Sequence, residues 1–153
     1  MERQTMGRVL AEATIENIKD AWEVERGLRS PDQVRRVTVS DALVDTGATT
    51  LSLPRGLIAQ LGLQQRSEKR VKTSSGEQRA ALYDPVRLTI QSRECTVDVV
   101  EVPDTVPVLI GQVPLELLDF VVDARSQQLI GNPAHGGEHV IELYVILGPT
   151  SRQ

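Results

Sequence analysis

The feature that most constrains this chain is a run of apolar residues, within residues 42–54, that ends abruptly on an acid. Three apolar residues lead directly into Asp45, and Thr46 and Gly47 follow before the apolar pattern resumes at Leu51. An unpaired carboxylate inside a protein core is costly, and glycine permits a tight turn or the close approach of another backbone. The run therefore predicts a strand that ends by presenting Asp45 at a sharp loop.

Two further segments follow this loop along the chain. Residues 107–111 form a second apolar run that ends on Gly111, and a helix-like segment begins at Pro114. Between the two apolar runs, residues 71–77 have the pattern of two strands that meet at a glycine-bearing turn. An acid loop, a hairpin and an apolar run ending in glycine therefore occur in that order.

These three segments resemble the retropepsin-like (retroviral-type) aspartic protease family, in its bacterial single-domain form. Residues 45–48 are similar to its catalytic Asp-Thr-Gly-Ala loop, residues 71–77 to its flap, and residues 107–111 to the segment that packs behind the loop. The resemblance is close over residues 43–54 and 106–118. It implies one domain over residues 1–153, with a core at about residues 7–147, folded as a closed, barrel-like all-β structure with one or two short helices.

The resemblance also implies the roles of individual residues. The catalytic residues would be Asp45, Thr46 and Gly47. In the family, the matching threonine holds two such loops together by hydrogen bonding, and the flap tip closes over bound peptide. The substrate-binding residues would be Ala48, Thr49, Ser75, Gly76, Leu109 and Ile110.

Hydrolysis of a peptide bond by carboxylates alone requires two of them, one to activate water and one to donate a proton. The sequence holds a single Asp-Thr-Gly, since Asp84, Asp104 and Asp119 lack that loop context. A two-fold axis beside Asp45 would supply the second carboxylate, because an isologous interface brings identical groups together. Enzymes of the family are similarly homodimers, and they use water with no cofactor and no metal. A homodimer that acts on peptide or protein substrates is therefore expected.

Two functions remain open at this point. The first is a homodimeric aspartic endopeptidase, and the second is a catalytically silent peptide-binding or dimerisation module that keeps the fold. The intact Asp-Thr-Gly-Ala favours the first, because a binding module has no need of a costly carboxylate pair. Thr49 and Gln112 stand where retroviral members carry an acid and an arginine that form an ion pair, which predicts a neutral, hydrogen-bonded substitute.

Apolar spacing and turn residues predict the remaining elements. Residues 7–16 favour a strand, although a helix through Ile15, Ile18 and Trp22 also fits the spacing. Helices are expected over residues 53–62, opened by Pro54, and over residues 114–120. The strands are expected at residues 34–44, 68–102 with breaks at 74–76 and 91–93, 121–123, 129–130, and 140–147, the last either in the core or paired with a second subunit.

Composition bears on partners and location. The net charge of −4 indicates no phosphate-binding surface, so no nucleic-acid partner is expected, and no apolar run is long enough for a membrane helix. Cys95 is the only cysteine, which suits a reducing compartment. No apolar leader is evident near Met1. These features predict a cytoplasmic protein, with Cys95 as a buried small apolar residue.

Three other groups of residues receive ordinary interpretations. Trp22 is expected to pack in the core, and His135 and His139 are expected in a surface loop because two glycines separate them. A solvated strand beside the flap is the expected place of the basic cluster Arg66, Lys69, Arg70 and Lys72, with attraction of acidic substrates as the minor interpretation.

Overall fold

The computed structural model describes residues 8–144. Within them the chain forms nine β-strands and three short α-helices. The strands are β1 Leu10–Asn17, β2 Arg36–Val44, β3 Leu51–Pro54, β4 Gln65–Thr73, β5 Gly76–Ile90, β6 Arg93–Val102, β7 Leu109–Ile110, β8 Phe120–Asp123 and β9 Gln128–Gly131. The helices are α1 Ile18–Glu25, α2 Arg55–Leu61 and α3 Gln112–Leu118.

Six strands form a ring. They are hydrogen-bonded in the order β1-β2-β7-β3-β6-β5, and β5 pairs again with β1, so the sheet closes on itself. Closure removes the exposed strand edges that would otherwise invite pairing with other chains. The predicted all-β, closed architecture is confirmed, and the short pair β8–β9 confirms the two predicted strands after the second apolar run.

The inside of the ring is filled by alternating side chains of its strands. On β5, Val86, Leu88 and Ile90 are at most 1% exposed, as expected when every second side chain points to one face. Ile15 and Leu51 meet them in the same core. Burial of a side chain of this size stabilises the fold by roughly 2 kcal/mol.

The strand β5 is longer than the ring requires. Its second half pairs with β1 and β6 in the ring, whereas its first half pairs with β4 in a hairpin that extends from the ring. Between the halves, the register with β6 shifts between Tyr83 and Val86, and the register with β4 shifts between Gln65 and Ser67. Pro85 lies in the first of these bulges and has no N–H for the ladder.

The amino-terminal region combines both alternatives that its apolar spacing allowed. The strand β1 confirms the favoured interpretation, and a helix that was not predicted follows it directly. Asn17 caps this helix, because its side chain accepts a hydrogen bond of 3.0 Å from the backbone N–H of Asp20. The expectation for Trp22 is wrong: it lies on α1 with 44% of its surface exposed, since the buried face of the helix is formed by Ile18, Asp20 and Ala21.

Both proline-associated helices begin at other residues than predicted. Pro54 is the residue that caps α2 and not its first residue, whereas Gly62 ends the helix with φ +68°, as predicted. The helix α3 begins at Gln112, two residues before Pro114. It begins early because backbone N–H groups at its start donate to a neighbouring loop, which satisfies donors that a helix start normally leaves free.

The strand predicted over residues 140–147 is not formed within the chain over residues 140–144, and residues 145–147 lie outside the described part. Ile141, Leu143 and Tyr144 are each about 80% exposed (79%, 84% and 83%), so the interpretation as a core strand is wrong for these residues. None of the helices in residues 8–144 has the length and apolar character needed to cross a membrane.

His135 is more enclosed than a surface-loop histidine. Its side chain is 13% exposed, with Nδ1 2.7 Å from the Asp119 carboxylate and Nε2 2.7 Å from that of Glu142. The hydrogen bond with Glu142, and to a smaller extent that with Asp119, raises the pKa of His135. Burial opposes the charge of Asp119, but hydrogen bonds from His135 and from the Val140 N–H outweigh it and lower its pKa to about 2. This cluster ties residues 140–142 to the end of α3.

Candidate active site

Asp45 is the first residue after β2, and the second apolar run fixes its position. Leu43 and Val44 pair in parallel with Leu109 and Ile110 of β7. The backbone N–H of Asp45 donates to the Ile110 carbonyl at 2.9 Å, which is the last rung of this ladder. The strand therefore holds the Asp45 backbone in place and leaves its half-buried side chain at the start of the loop.

The loop then turns back on the carboxylate. The Gly47 N–H donates to Asp45 Oδ1 at 3.0 Å, and the Ala48 N–H donates to the Asp45 carbonyl at 3.0 Å. A Cβ atom on Gly47 would stand 3.2 Å from Oδ1, tighter than most Cβ contacts. Gly47 therefore both orients the carboxylate and leaves space beside it.

Gly111 and the start of α3 brace the loop from behind. The N–H groups of Gly111, Gln112 and Val113 donate to the carbonyls of Thr50, Ala48 and Thr49 at 3.0, 2.8 and 2.8 Å. A Cβ atom on Gly111 would lie 2.4 Å from the Thr50 oxygen and 2.6 Å from the Ala48 oxygen, both backbone atoms. Only glycine fits at this position without displacing the loop.

Thr49 and Gln112 replace an ion pair of retroviral members, and the sequence predicted a neutral, hydrogen-bonded contact in its place. The main chain makes this contact. The backbone N–H of Gln112 donates to the Ala48 carbonyl, while its side-chain amide donates to Glu116 at 3.1 Å. Thr49 contributes its carbonyl, which accepts from Val113. Within residues 8–144, no hydrogen bond joins the side chains of Thr49 and Gln112, so the loop is held without either charge.

The carboxylate of Asp45 faces a cleft of about 1100 Å³ between this loop and the β4–β5 hairpin. Five of the nine residues expected in the site line the cleft, namely Asp45, Gly47, Ala48, Thr49 and Leu109. Ile110 is fully buried behind the loop. Thr46 is exposed on the loop, outside the cleft lining.

The β4–β5 hairpin forms the other wall of the cleft. Thr73 pairs with Gly76 across a two-residue turn, and the Thr73 hydroxyl accepts from the Ser75 N–H at 3.1 Å and donates to the Gly76 carbonyl at 2.9 Å. Gly76 has φ +110°, a backbone region that favours glycine. Thr73 and Ser74 line the cleft, whereas Ser75 and Gly76 stand at the tip, outside its lining. The predicted breaks in residues 68–102 are confirmed.

A polar cluster that the sequence did not reveal joins the hairpin to the ring. The Tyr83 hydroxyl donates to Glu101 at 2.6 Å, and Arg55 Nε donates to the same carboxylate at 2.8 Å. The hydrogen bond from Tyr83, followed by that from Arg55, lowers the pKa of Glu101. Glu101 is the only carboxylate besides Asp45 among the described residues that line the cleft, and it is already engaged.

Outside the cleft, the described residues offer little that could carry out chemistry. A groove of about 570 Å³ lies beside β1, the β5–β6 turn and β9, and Glu12 is the only charged residue among the described residues that line it. No group of three or more His, Cys, Asp or Glu side chains in residues 8–144 is placed to hold a metal ion. Cys95 was predicted to be buried, but it is only partly buried and packs against the edge of the core. Burial raises the pKa of its thiol to about 11.

Comparison with known proteins agrees with this geometry. The family model described as gag-polyprotein putative aspartyl protease matches residues 34–116. That span contains the Asp45 loop, the hairpin and the Gly111 brace. No curated protein sequence matches the chain. Because the matched residues cover more than half of the chain, it belongs to the gag-polyprotein putative aspartyl protease family.

Proposed function

We propose that the chain is a homodimeric aspartic endopeptidase, in which the Asp45 carboxylates of two subunits activate water to hydrolyse peptide bonds. The observation that carries the proposal is the position of Asp45. Asp45 lines a peptide-sized cleft, and the backbone carbonyls of residues 48 to 50 in its loop each accept a hydrogen bond. Within residues 8–144, the Asp45 carboxylate accepts a single hydrogen bond, from the Gly47 N–H.

The proposed chemistry needs one ionised and one protonated carboxylate. Two carboxylates about 3 Å apart share a proton, because both cannot ionise together. The ionised Asp45 takes a proton from a water molecule while the water oxygen attacks the carbonyl carbon of the peptide bond. The protonated Asp45 of the other subunit polarises the carbonyl oxygen of that bond. A proton then passes from the carboxyl pair to the peptide nitrogen and the C–N bond breaks, which releases one product with a new carboxyl group and one with a new amine.

Two exposed parts of the subunit support dimerisation. Thr46 and Gly47 are exposed at the tip of the Asp45 loop, where a two-fold axis would bring two loops together and allow Thr46 to bond across it. Ile141, Leu143 and Tyr144 expose apolar side chains of the kind that an interface covers. Residues 140–144 would then pair with their two-fold mates as an intersubunit sheet.

A substrate would lie in the cleft as an extended strand. Ala48, Thr49 and Leu109 would contact its side chains and backbone, with Ile110 supporting the loop from behind. The hairpin would act as a flap: Ser75 and Gly76 at its tip would close over the peptide and exclude water. No cofactor enters this mechanism.

We place the enzyme in the cytoplasm. The argument is the use of a single cysteine, which has no partner in the sequence for an internal disulfide, and such chains are typical of reducing compartments.

The test compares peptide hydrolysis by the wild type and by Asp45→Asn. We expect the substitution to lower kcat by at least about a thousandfold. The control is Asp41→Asn, which changes an exposed acid four residues earlier, on β2, and should leave kcat unchanged. A statine-type transition-state analogue should inhibit the wild type. Equal turnover by wild type and Asp45→Asn would eliminate the aspartic peptidase, and no turnover by either would leave a silent peptide-binding module.

Mixing wild type with Asp45→Asn tests the shared site. If each active unit needs two Asp45 carboxylates, activity falls as the square of the wild-type fraction once subunits have exchanged. A linear fall would show that each subunit acts alone and would contradict the homodimeric mechanism.

A further inference from the structure

The hairpin wall of the cleft carries an uneven distribution of charge. Three basic side chains of the hairpin, Arg70, Lys72 and Arg79, line the cleft, whereas its acidic side chains, Glu68 and Glu77, do not. The floor adds no compensating acid, since Glu101 is engaged by Arg55 and Tyr83. Apart from Asp45, the charge presented to an occupant of the cleft is therefore positive.

The register of the hairpin makes this arrangement costly for the empty protein. Arg70 and Arg79 are directly opposite each other on β4 and β5, and like charges in this position destabilise a sheet. Diagonal acids relieve part of the repulsion, with Glu68 3.0 Å from Arg79 and Glu77 3.7 Å from Arg70. These pairs are exposed, and such pairs contribute little.

Lys72 is the clearest member of the set. It lies two residues from Arg70 on β4, so both side chains share one face of the strand. No ion pair to Lys72 occurs within residues 8–144, and its cross-strand neighbour is Glu77, which is 3.7 Å from Arg70. An ammonium in this position has charge available for a ligand in the cleft.

We propose that the cleft selects peptides that carry acidic side chains beside the scissile bond, and that Arg70, Lys72 and Arg79 recognise them. This inference rests on the proposed peptidase function, because it names the substrate class of the same site. It gives Arg70 and Lys72 of the basic cluster a role in specificity beyond that of a solvated strand, and it adds Arg79 of β5 to them. Leu109, on the opposite wall of the cleft, is apolar, so the two substrate residues that form the scissile bond can themselves be apolar.

The strand β4 supplies a matched control. Lys69 is exposed, like Lys72, and forms no ion pair within the described residues, yet it does not line the cleft. The two lysines are three positions apart on β4, so their side chains point to opposite faces of the hairpin. Lys69→Glu and Lys72→Glu therefore change the net charge equally and differ in whether that charge reaches the cleft.

The experiment measures kcat/KM for three peptides that share one apolar scissile pair and carry glutamate, glutamine or lysine on both flanks. We expect the wild type to prefer the glutamate-flanked peptide over the lysine-flanked one by about tenfold at low salt, and the ratio to approach one in about 1 M salt. Lys72→Glu should lower kcat/KM for the glutamate-flanked peptide by about fivefold, and Lys69→Glu should leave it unchanged.

Binding to the inactive variant separates this inference from the peptidase itself. Fluorescein-labelled versions of the same peptides are titrated with Asp45→Asn, alone or combined with Lys72→Glu or Lys72→Gln, and followed by anisotropy. Preferential binding of the glutamate-flanked peptide, lost in both Lys72 variants, supports the inference even if the wild type cleaves nothing. Equal cleavage and equal binding of all three peptides, or equal effects of Lys69→Glu and Lys72→Glu, would overturn it while leaving the peptidase intact.

Discussion

The two walls of the cleft are built in opposite ways. The floor, which carries Asp45, is held by backbone hydrogen bonds from β7 and from the start of α3, and its support residue Ile110 is fully buried. The hairpin wall is held by its own ladder, and eight of the nine side chains of β4 are exposed. One wall is therefore anchored to the core, and the other is supported mainly by its partner strand.

Under the proposed function, this difference would separate two tasks within one site. A carboxylate that shares a proton with a second carboxylate must be placed accurately, and a loop braced by its backbone supplies that accuracy. A wall that must admit an extended peptide has to open, and segments with few buried contacts open at the lowest cost in free energy. The comparison predicts that glycine substitutions in the two walls will have very different effects.

The largest effect is expected for Gly111→Ala in the floor. Its Cβ atom would stand 2.4 and 2.6 Å from two backbone carbonyl oxygens, which cannot turn away as a side chain can. We expect the free energy of unfolding to fall by about 3 kcal/mol and the melting temperature by roughly 6–12 °C. Thermal denaturation followed by circular dichroism measures both.

Gly27→Ala provides the control for this prediction. Gly27 has φ +74° and nothing within 4 Å of the added Cβ atom, so alanine there experiences backbone strain without a clash. The expected cost is about 1 kcal/mol. Similar costs for the two substitutions would refute the idea that the floor is braced by close packing at Gly111.

A smaller effect is expected for Tyr83→Phe, where the hairpin meets the ring. The substitution removes the hydrogen bond to Glu101 and should cost about 1 kcal/mol at neutral pH. Because the fold lowers the pKa of Glu101, its contribution is present above the unfolded value of about 4.3 and is lost as the pH falls through the folded value. Urea denaturation of wild type and variant should therefore differ most above about pH 5. A difference that is as large at pH 3 as at pH 7 would contradict this assignment.

The smallest effect on global stability is expected for Gly76→Ala at the hairpin tip. The strain at φ +110° is confined to the hairpin, so the melting temperature should shift by less than about 3 °C. The amides of β4 and of the first half of β5 should exchange with deuterium about tenfold faster, while those of the ring stay unchanged. Faster exchange throughout the ring would remove the distinction between the two walls.

The floor of the site could be predicted from the sequence because its signals are local. Three local features show where the backbone must turn or pack closely. They are an apolar run that ends on Asp45, a glycine two residues later, and a second apolar run that ends on Gly111. The strand, the loop and the helix exit at Gly62 followed from such residues. The pairing of the two runs came from the resemblance to a family and is present in the structure.

Other features depend on contacts between distant residues, which local patterns do not encode. The helix α3 starts before Pro114 because its first N–H groups bind the Asp45 loop. Trp22 is exposed because the face of α1 that turns inward is built around Asp20, whose carboxylate receives hydrogen bonds from Arg35 at 2.8 and 3.0 Å. The cluster of Glu101 likewise assembles from three separate elements.

The β4–β5 hairpin extends beyond the ring as a two-stranded arm. Six residues of β5, from Gly76 to Ala81, lie beyond Leu82, the first residue of β5 that pairs with β6, and at about 3.3 Å per residue they form an arm about 20 Å long. A bend of about 10° at the base of this arm would move its tip by about 3.5 Å. Under the proposed function, a small change of angle at the base of the arm would therefore change the width of the entrance through which a peptide reaches Asp45.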